Sequence, residues 1–312
     1  MSQAETLRKG FGEGLVSVGE QDDRVYALCA DLTESTMMAE FASKFPDRFV
    51  EIGVAEQNLV TVASGLAAIG KIPFVTSYAA FSPGRNWEQI RTTICLNDQP
   101  VKIVGSHAGL SVGPDGATHQ MLEDIALMRV LPNIDVVVPA DYNQARLATI
   151  ALARTGRPGY LRLAREKTII IEPALDFELG RAQILRSGSD LSIFACGPMV
   201  AQALEVAKQL SSLQIDAEVI NIHTIKPLDN QAIHQSIAKT GLGFSIEEGQ
   251  IAGGMGSAIV EFLAENLPSR FTRIGVRDRF GQSGSVDQLW QEYGLSIEGI
   301  KEQILNIVRE VR

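Results

Sequence analysis

The sequence predicts an α/β protein with two doubly wound domains, over residues 1–172 and 181–312, joined by a linker at 173–180. Short runs rich in Val and Ile alternate with longer amphipathic stretches along most of the chain, as in βα units around a parallel sheet. The short runs are apolar on both faces, so the sheet needs helices on both sides. This alternation is lost around Pro173, where we place the linker.

The first domain is predicted to contain six strands and four helices. Each strand is a short apolar run, and each helix repeats apolar residues with a period near 3.6. The predicted strands are 25–30, 49–53, 74–77, 101–105, 135–138 and 160–163, and the helices are 55–69, 87–96, 120–130 and 142–153. The second domain is smaller and of the same class. Its predicted strands are 191–195, 217–222, 243–247 and 273–276, and its helices are 199–213, 230–239 and 255–266.

The composition excludes several classes of protein. The sequence contains neither a run of about 18 apolar residues nor an apolar segment near Met1, so we expect no membrane span, no secretory signal and a cytoplasmic location. Cys29, Cys95 and Cys196 are spaced too widely for a disulfide framework or a metal site and are predicted to be buried thiols. The 37 acidic and 28 basic residues give a net charge of -9, which opposes nucleic acid binding. An anionic substrate therefore needs a few local cations.

Glu56 lies in the first turn of a predicted helix, directly after a strand. Ligands of α/β folds gather at that edge of the sheet. Apolar neighbours such as Val54, Leu59 and Leu66 suggest an enclosed carboxyl group that exchanges a proton near neutrality. The alternative, a carboxylate that only stabilises the start of its helix, stays open on this evidence.

The loop 106–120 combines His107, Asp115 and His119 with three glycines, directly after a strand. Glycines let the backbone approach a ligand closely. With no cysteine and no His pair at helical spacing, a metal site is disfavoured and we predict none in this chain. The loop favours a hydrogen-bonding site for a polyhydroxylated or phosphorylated substrate, although His119 alone is also typical of a helix start.

Three further polar residues follow predicted strands, but each is commonplace by itself. Asp31 and Ser35 follow the first strand, and Arg165 follows the last strand of the first domain. Asp31 is also typical of a turn, and Arg165 of a solvated surface charge.

Three segments, in this order, resemble the C-terminal half of transketolase, and the likeness covers nearly the whole chain. They are Asp31-Leu-Thr-Glu-Ser35, Gly53-Val-Ala-Glu56-Gln and Gly113-Pro-Asp115-Gly-Ala-Thr-His119-Gln. The resemblance implies a pyrimidine-binding domain followed by a transketolase C-terminal domain. It also implies dependence on thiamine diphosphate and Mg²⁺.

The resemblance further implies roles for individual residues. Glu56 matches the glutamate that bonds the aminopyrimidine ring of the cofactor and shares its proton. Tyr78 and Phe81 resemble the aromatic wall against that ring. Asp31 is expected to contact the cofactor as well. His107, Asp115 and His119 match the residues that contact the sugar, and the two histidines would also move protons between hydroxyl groups. Arg8, Ser35 and Arg165 match the phosphate cradle.

The chain departs from the family pattern because it contains no Gly-Asp-Gly motif, which binds magnesium and the diphosphate in a full transketolase. It therefore resembles the small subunit of a split transketolase of the pentose phosphate pathway. A separate N-terminal subunit would supply the magnesium ligands, and the complex would be a heterotetramer with two copies of each chain. The implied reaction transfers a two-carbon ketol unit from a ketose phosphate to an aldose phosphate.

Three alternatives remain on the sequence alone. The C-terminal half of a 1-deoxyxylulose-5-phosphate synthase shares the Asp-Gly-x-Thr-His-Gln pattern. The beta subunit of a 2-oxo acid dehydrogenase has the same cofactor but is not expected to carry that loop. A non-catalytic partner subunit retaining the fold would have no need for Glu56, Asp115 and His119 together.

Overall fold

The computed structural model describes residues 3–174 and 176–311, and it confirms the α/β class with two large sheets. The first sheet has seven strands, of which six are parallel and one edge strand is antiparallel. In spatial order they are β12 (Thr224–Lys226), β6 (Asp135–Val137), β7 (Gly159–Arg162), β5 (Lys102–Ser106), β4 (Ile72–Tyr78), β2 (Val25–Cys29) and β3 (Phe49–Glu51). Because β3 and β4 flank β2 on opposite sides, the order in which strands are added to the sheet reverses at β2, and α/β folds typically bind ligands at the carboxyl ends of strands beside such a point.

Helices cover both faces of the first sheet, as predicted for a doubly wound domain. They are α1 (Leu7–Gln21), α2 (Ala39–Lys44), α3 (Glu56–Ala68), α4 (Trp87–Gln89, continued by a π-helix at Ile90–Cys95), α5 (Asp124–Arg129) and α6 (Tyr142–Arg154). Phe11 of α1 packs on one face of the sheet with Phe74. Leu59 of α3 packs on the other face with Ile103. The helix predicted at 120–130 is shorter than expected and begins at Asp124.

The second sheet has four parallel strands and an antiparallel edge strand. In spatial order the strands are β14 (Arg270–Val276), β13 (Leu242–Gln250), β10 (Leu191–Ala195), β11 (Ala217–Asn221) and β9 (Gln183–Arg186). The helices are α7 (Met199–Ser211), α8 (Asn230–Thr240), α9 (Met255–Asn266), α10 (Val286–Glu292) and α11 (Ile297–Val311), and a small separate sheet pairs β1 (Ala4–Thr6) with β8 (Lys167–Ile169). In α11, Ile300, Ile304 and Val308 recur every fourth residue, a spacing typical of a helix that the prediction left out.

The N-terminal helix α1 was not predicted, because its sequence is rich in glycine. A Cβ at Gly10 would lie 2.2 Å from the Tyr142 carbonyl oxygen, and one at Gly14 would lie 2.9 Å from that of Arg146. Both carbonyls belong to α6, so the glycines allow the two helices to pack closely. Glycine disfavours a helix locally, and here the tertiary contact outweighs that preference.

The two domains share one strand and part of one core. β12 belongs to the second half of the chain but pairs with β6 of the first sheet, and the Val138 amide donates to the His223 carbonyl at 2.8 Å. Buried residues of both halves, such as Ile134 and Ile225, lie in one apolar cluster. The second domain is therefore fixed firmly against the first.

His223, at this junction, is fully buried, and we expect it to make the stability of the folded chain sensitive to acid. Burial lowers its pKa from 6.5 to about 4. The unfolded chain therefore takes up a proton that the folded chain does not, and the free energy of unfolding falls as the pH drops from 6.5 toward 4. His223→Gln should flatten this dependence by up to about 1.4 kcal/mol per pH unit, measured by urea unfolding across that range. If the free energy of unfolding changed with pH in the same way in the variant and the wild type, His223 would not be the cause of the acid sensitivity.

Among the residues the structure describes, every helix is too short or too polar to cross a bilayer. Cys29, Cys95 and Cys196 are buried free thiols, as predicted.

Candidate active site

Most of the predicted site residues lie along one edge of the first sheet, at the carboxyl ends of neighbouring strands. Tyr78 ends β4, His107 follows β5 and Arg165 follows β7, while Ser35 lies in the segment after β2 and Glu56 begins α3 after β3. The order β7-β5-β4-β2-β3 in the sheet makes these positions neighbours in space. Residues far apart in the sequence thus lie at one edge of the sheet.

Four of the predicted residues form an aromatic and histidine cluster. The rings of Tyr78 and His107 stack with their centroids 3.8 Å apart. Tyr78 and Phe81 lie nearly parallel, at 15° and 6.3 Å, and Phe81 meets His119 edge-on at 5.5 Å. The cluster therefore places two aromatic rings beside two imidazole groups.

His107 is 3% exposed, and its Nδ1 lies 2.8 Å from the Ser106 hydroxyl. Burial, together with the nearby positive charges of Arg8 and Arg165, lowers its pKa to about 3. The imidazole is therefore neutral at physiological pH and suited to hydrogen bonding with a hydroxyl group rather than to carrying a proton. Its backbone has a φ of 55°, a conformation that costs energy outside glycine and is often found at functional sites.

Two arginines lie together beside this cluster. The guanidinium group of Arg8 donates to the carbonyl oxygens of Ser35 at 2.6 Å and Arg165 at 3.0 Å. Arg165 in turn donates to the Val112 carbonyl at 2.6 Å and lies 3.6 Å from the Asp115 carboxylate. The structure thus brings the predicted cradle residues together, and planar guanidinium groups bind phosphate with two parallel hydrogen bonds.

Glu56 is 2% exposed and pairs with an arginine that the sequence analysis missed. Nη1 of the half-exposed Arg85 donates to Glu56 Oε2 at 2.6 Å, and the same guanidinium group lies 4.9 Å above the Phe81 ring. Asn86 donates to the Glu56 carbonyl at 2.8 Å. Among the described residues, these hydrogen bonds go to Oε2 and the carbonyl oxygen of Glu56, and none goes to its Oε1. In the sequence, an arginine in a loop looks like any solvated charge, so no signal marked Arg85.

Asp31 lies in a separate turn, tied to the end of β3. Its amide donates to Glu51 Oε1 at 2.7 Å, and the Gly53 amide donates to the same oxygen at 2.8 Å. The role of Asp31 toward a cofactor stays a prediction. Within residues 3–174 and 176–311, no group of three His, Cys, Asp or Glu side chains is arranged to bind a metal ion.

Comparisons with known proteins bear on this site. The sequence profile "Transketolase, pyrimidine binding domain" matches residues 3–169, and "Transketolase, C-terminal domain" matches 180–300. The 6-deoxy-6-sulfo-D-fructose transketolase subunit of Clostridium sp. (strain MSTE9) is 40% identical over 295 residues, covering 94% of this chain and 92% of that protein.

A second relative, an apulose-4-phosphate transketolase subunit of Phocaeicola vulgatus, is 36% identical over 306 residues and is matched over 97% of each chain. A solved structure described as "Split gene transketolase, inactive beta4 tetramer" superposes with a TM-score of 0.90 at 41% identity, covering 96% of this chain and 97% of that one. Both profiles, the two relatives and the solved structure point to the same family as the three sequence motifs. The chain therefore belongs to the transketolase family.

Proposed function

We propose that this chain is the C-terminal subunit of a thiamine-diphosphate-dependent transketolase that moves a two-carbon ketol unit from a ketose phosphate to an aldose phosphate. The observation that carries the proposal is the arrangement along one sheet edge of the buried Glu56, the aromatic cluster and the paired Arg8 and Arg165. Two relatives that match over most of their length are named as transketolase subunits, which supports a division of the enzyme between two chains.

The residues present fit the pyrimidine end of the cofactor. When bound, thiamine diphosphate supplies an electron sink for breaking and forming carbon–carbon bonds. The open Oε1 of Glu56 would bond the aminopyrimidine ring and share a proton with it, and Tyr78 and Phe81 would support the flat ring. We assign the diphosphate and magnesium ligands to an N-terminal partner subunit, since this sequence has no Gly-Asp-Gly motif.

The two histidines would have different roles toward the sugar. His107, neutral and buried, would bond a hydroxyl group and orient it. His119 is partly exposed, and its Nδ1 lies 2.9 Å from the Thr118 hydroxyl. Because solvent reaches it, we propose it as the better placed of the two to take up or return a hydroxyl proton.

The arginine pair would bind the anionic end of the substrate. Arg8 and Arg165 supply the local cations that a chain of net charge -9 needs for this purpose. One relative is named for a sulfo sugar and another for a sugar phosphate. Since both groups are tetrahedral anions, the cradle suits either, and we propose a phosphate as the natural group.

We also propose that two copies of this chain assemble with two copies of the partner. Large apolar side chains near α3 are exposed, including Val54 at 70%, Ile69 at 72% and Leu96 at 73%. Covering these side chains with another chain would remove apolar surface from water and so favour association. Light scattering of the active complex should give the mass of a heterotetramer. A strict one-to-one heterodimer under assay conditions would contradict the proposed assembly.

The purified chain alone should be inactive and should bind thiamine diphosphate weakly, because it supplies only the pyrimidine side of the site. Adding the subunit that carries Gly-Asp-Gly should restore ketol transfer between sugar phosphates and tight cofactor binding by calorimetry. Ketol transfer by the single chain, with no partner present, would contradict the two-chain proposal. A product formed from pyruvate and an aldose phosphate would instead assign the complex to the deoxyxylulose-phosphate synthase alternative.

A further inference from the structure

Glu248, on β13 of the second domain, reaches into the loop that carries His107 and His119. The side chain is 1% exposed and accepts three hydrogen bonds. Oε1 accepts from the Ser111 amide at 2.6 Å and from Trp290 Nε1 at 2.9 Å, and Oε2 accepts from the Ser111 hydroxyl at 2.9 Å. Ser111 lies between the two histidines, so this carboxylate holds the middle of the loop.

The main chain around Glu248 holds the end of the same loop. The Glu248 carbonyl accepts from Arg162 Nη2 at 2.9 Å, and the buried Arg162 is paired with Asp124 at 2.8 Å. The amide of Gln250, two residues along β13, donates to the Leu122 carbonyl at 2.8 Å. Leu122 comes just after the loop, so one strand of the second domain fixes both its middle and its exit.

The loop backbone is shaped to admit this carboxylate. Gly109 has a φ of +88°, which only glycine adopts readily. A Cβ there would lie 2.5 Å from Glu248 Oε2, closer than any real contact. The close approach of glycine and carboxylate thus depends on the absence of a side chain at this position.

We propose that Glu248 is a positioning residue, which holds the loop so that His107, Asp115 and His119 face the sugar. The C-terminal domain would then control substrate binding through a single carboxylate. This inference rests on the proposed transketolase function. Its physical basis is that removing the carboxylate leaves the Ser111 amide and the Trp290 indole without a buried acceptor, which favours a different loop conformation.

The preceding residue, Glu247, provides a matched control. It is also 1% exposed, and burial raises the pKa of both carboxyl groups. Its carboxylate, however, accepts from the amides of Met255 at 2.8 Å and Gly256 at 2.9 Å, at the start of α9 within the second domain. Removing Glu247 therefore removes a buried acceptor of the same kind without touching the loop.

The test compares Glu248→Ala, Glu247→Ala and Glu248→Gln in the complex assembled with the N-terminal subunit. Glu248→Ala should raise KM for the aldose phosphate on the order of tenfold, while deuterium exchange of the cofactor's thiazolium proton stays near wild type. Glu247→Ala should lower the unfolding temperature yet leave KM unchanged. Glu248→Gln should restore most of the affinity, because its amide oxygen can accept from the Ser111 amide and Trp290 while its NH₂ donates to the Ser111 hydroxyl.

A second readout needs no activity. In the chain alone, backbone amides of residues 109–120 should exchange faster with deuterium in Glu248→Ala than in Glu247→Ala. Equal KM values and equal exchange in the two alanine variants would overturn the proposal. An inactive wild-type complex would overturn the proposed function alone, because the exchange comparison still decides whether Glu248 holds the loop. If Glu248→Ala does not fold, Ser111→Ala removes one of the three donors and allows the same comparison.

Discussion

Glu56→Gln is expected to lower ketol transfer by the assembled complex on the order of a hundredfold or more, while the chain still folds and binds its partner. The substitution keeps the volume of the side chain and its place in the first turn of α3. It removes the ionisable proton that Glu56 is proposed to share with the pyrimidine ring. If Glu56 only stabilised the start of its helix, the change would cost about 1 kcal/mol of stability or less and turnover would survive.

Deuterium exchange of the thiazolium proton in the assembled complex is the decisive measurement, because it reports cofactor activation separately from sugar binding. Arg85→Gln is the matched control, since it removes the 2.6 Å ion pair but keeps the Glu56 carboxyl. Because Glu56 is 2% exposed, losing its partner should destabilise the chain by more than the ~1 kcal/mol typical of an exposed pair, so the folded fraction of Arg85→Gln is measured alongside exchange. Near-normal exchange in Glu56→Gln would return Glu56 to a structural role.

Arg165→Ala should weaken phosphorylated donors roughly tenfold to a hundredfold relative to hydroxypyruvate, which has no phosphate. A charge-assisted contact to phosphate is worth about 1.5 to 3 kcal/mol, and about 1.4 kcal/mol corresponds to a factor of ten. The measurement is kcat/KM for both donors in the assembled complex.

Arg165 also donates to the Val112 carbonyl and lies near Asp115, so part of any loss could come from the loop. A displaced loop would also weaken hydroxypyruvate, whereas a lost phosphate contact would weaken only the phosphorylated donor. Arg165→Lys separates charge from shape, because lysine keeps the charge but lacks the planar fork. Equal losses for the two donors in Arg165→Ala would assign Arg165 to support of the loop.

The sequence predicted the site best where it followed a general rule of α/β folds. Glu56, His107 and Arg165 each follow a strand, Tyr78 ends one, and the strands are neighbours in one sheet. Marking strand ends was enough to select Glu56, His107 and Arg165, whereas Tyr78 and the roles of all four residues came from the family resemblance. Their meeting at one edge follows from the alternation of short apolar runs with longer amphipathic stretches, which the sequence shows directly.

What the sequence could not predict depends on contacts between distant residues. Helix α1 is locally disfavoured by its glycines and forms because it packs closely on α6. Arg85 belongs to no periodic pattern, and its place in the candidate site is visible only from its ion pair with Glu56, 29 residues away. The bond from Ser111 to Glu248 spans 137 residues, and a buried glutamate looks like any other acidic residue in a sequence.

The pairing of β12 with β6 has a consequence for whether the two domains can be separated or exchanged. A chain divided near residues 173–180 would leave the edge of β6 without the strand that completes it, and an unpaired edge invites wrong association. Recombination that replaced either domain alone would have to rebuild this edge and the shared apolar cluster at the same time. We therefore expect exchange of one domain alone to destabilise the chain, although each domain has its own sheet and its own family profile.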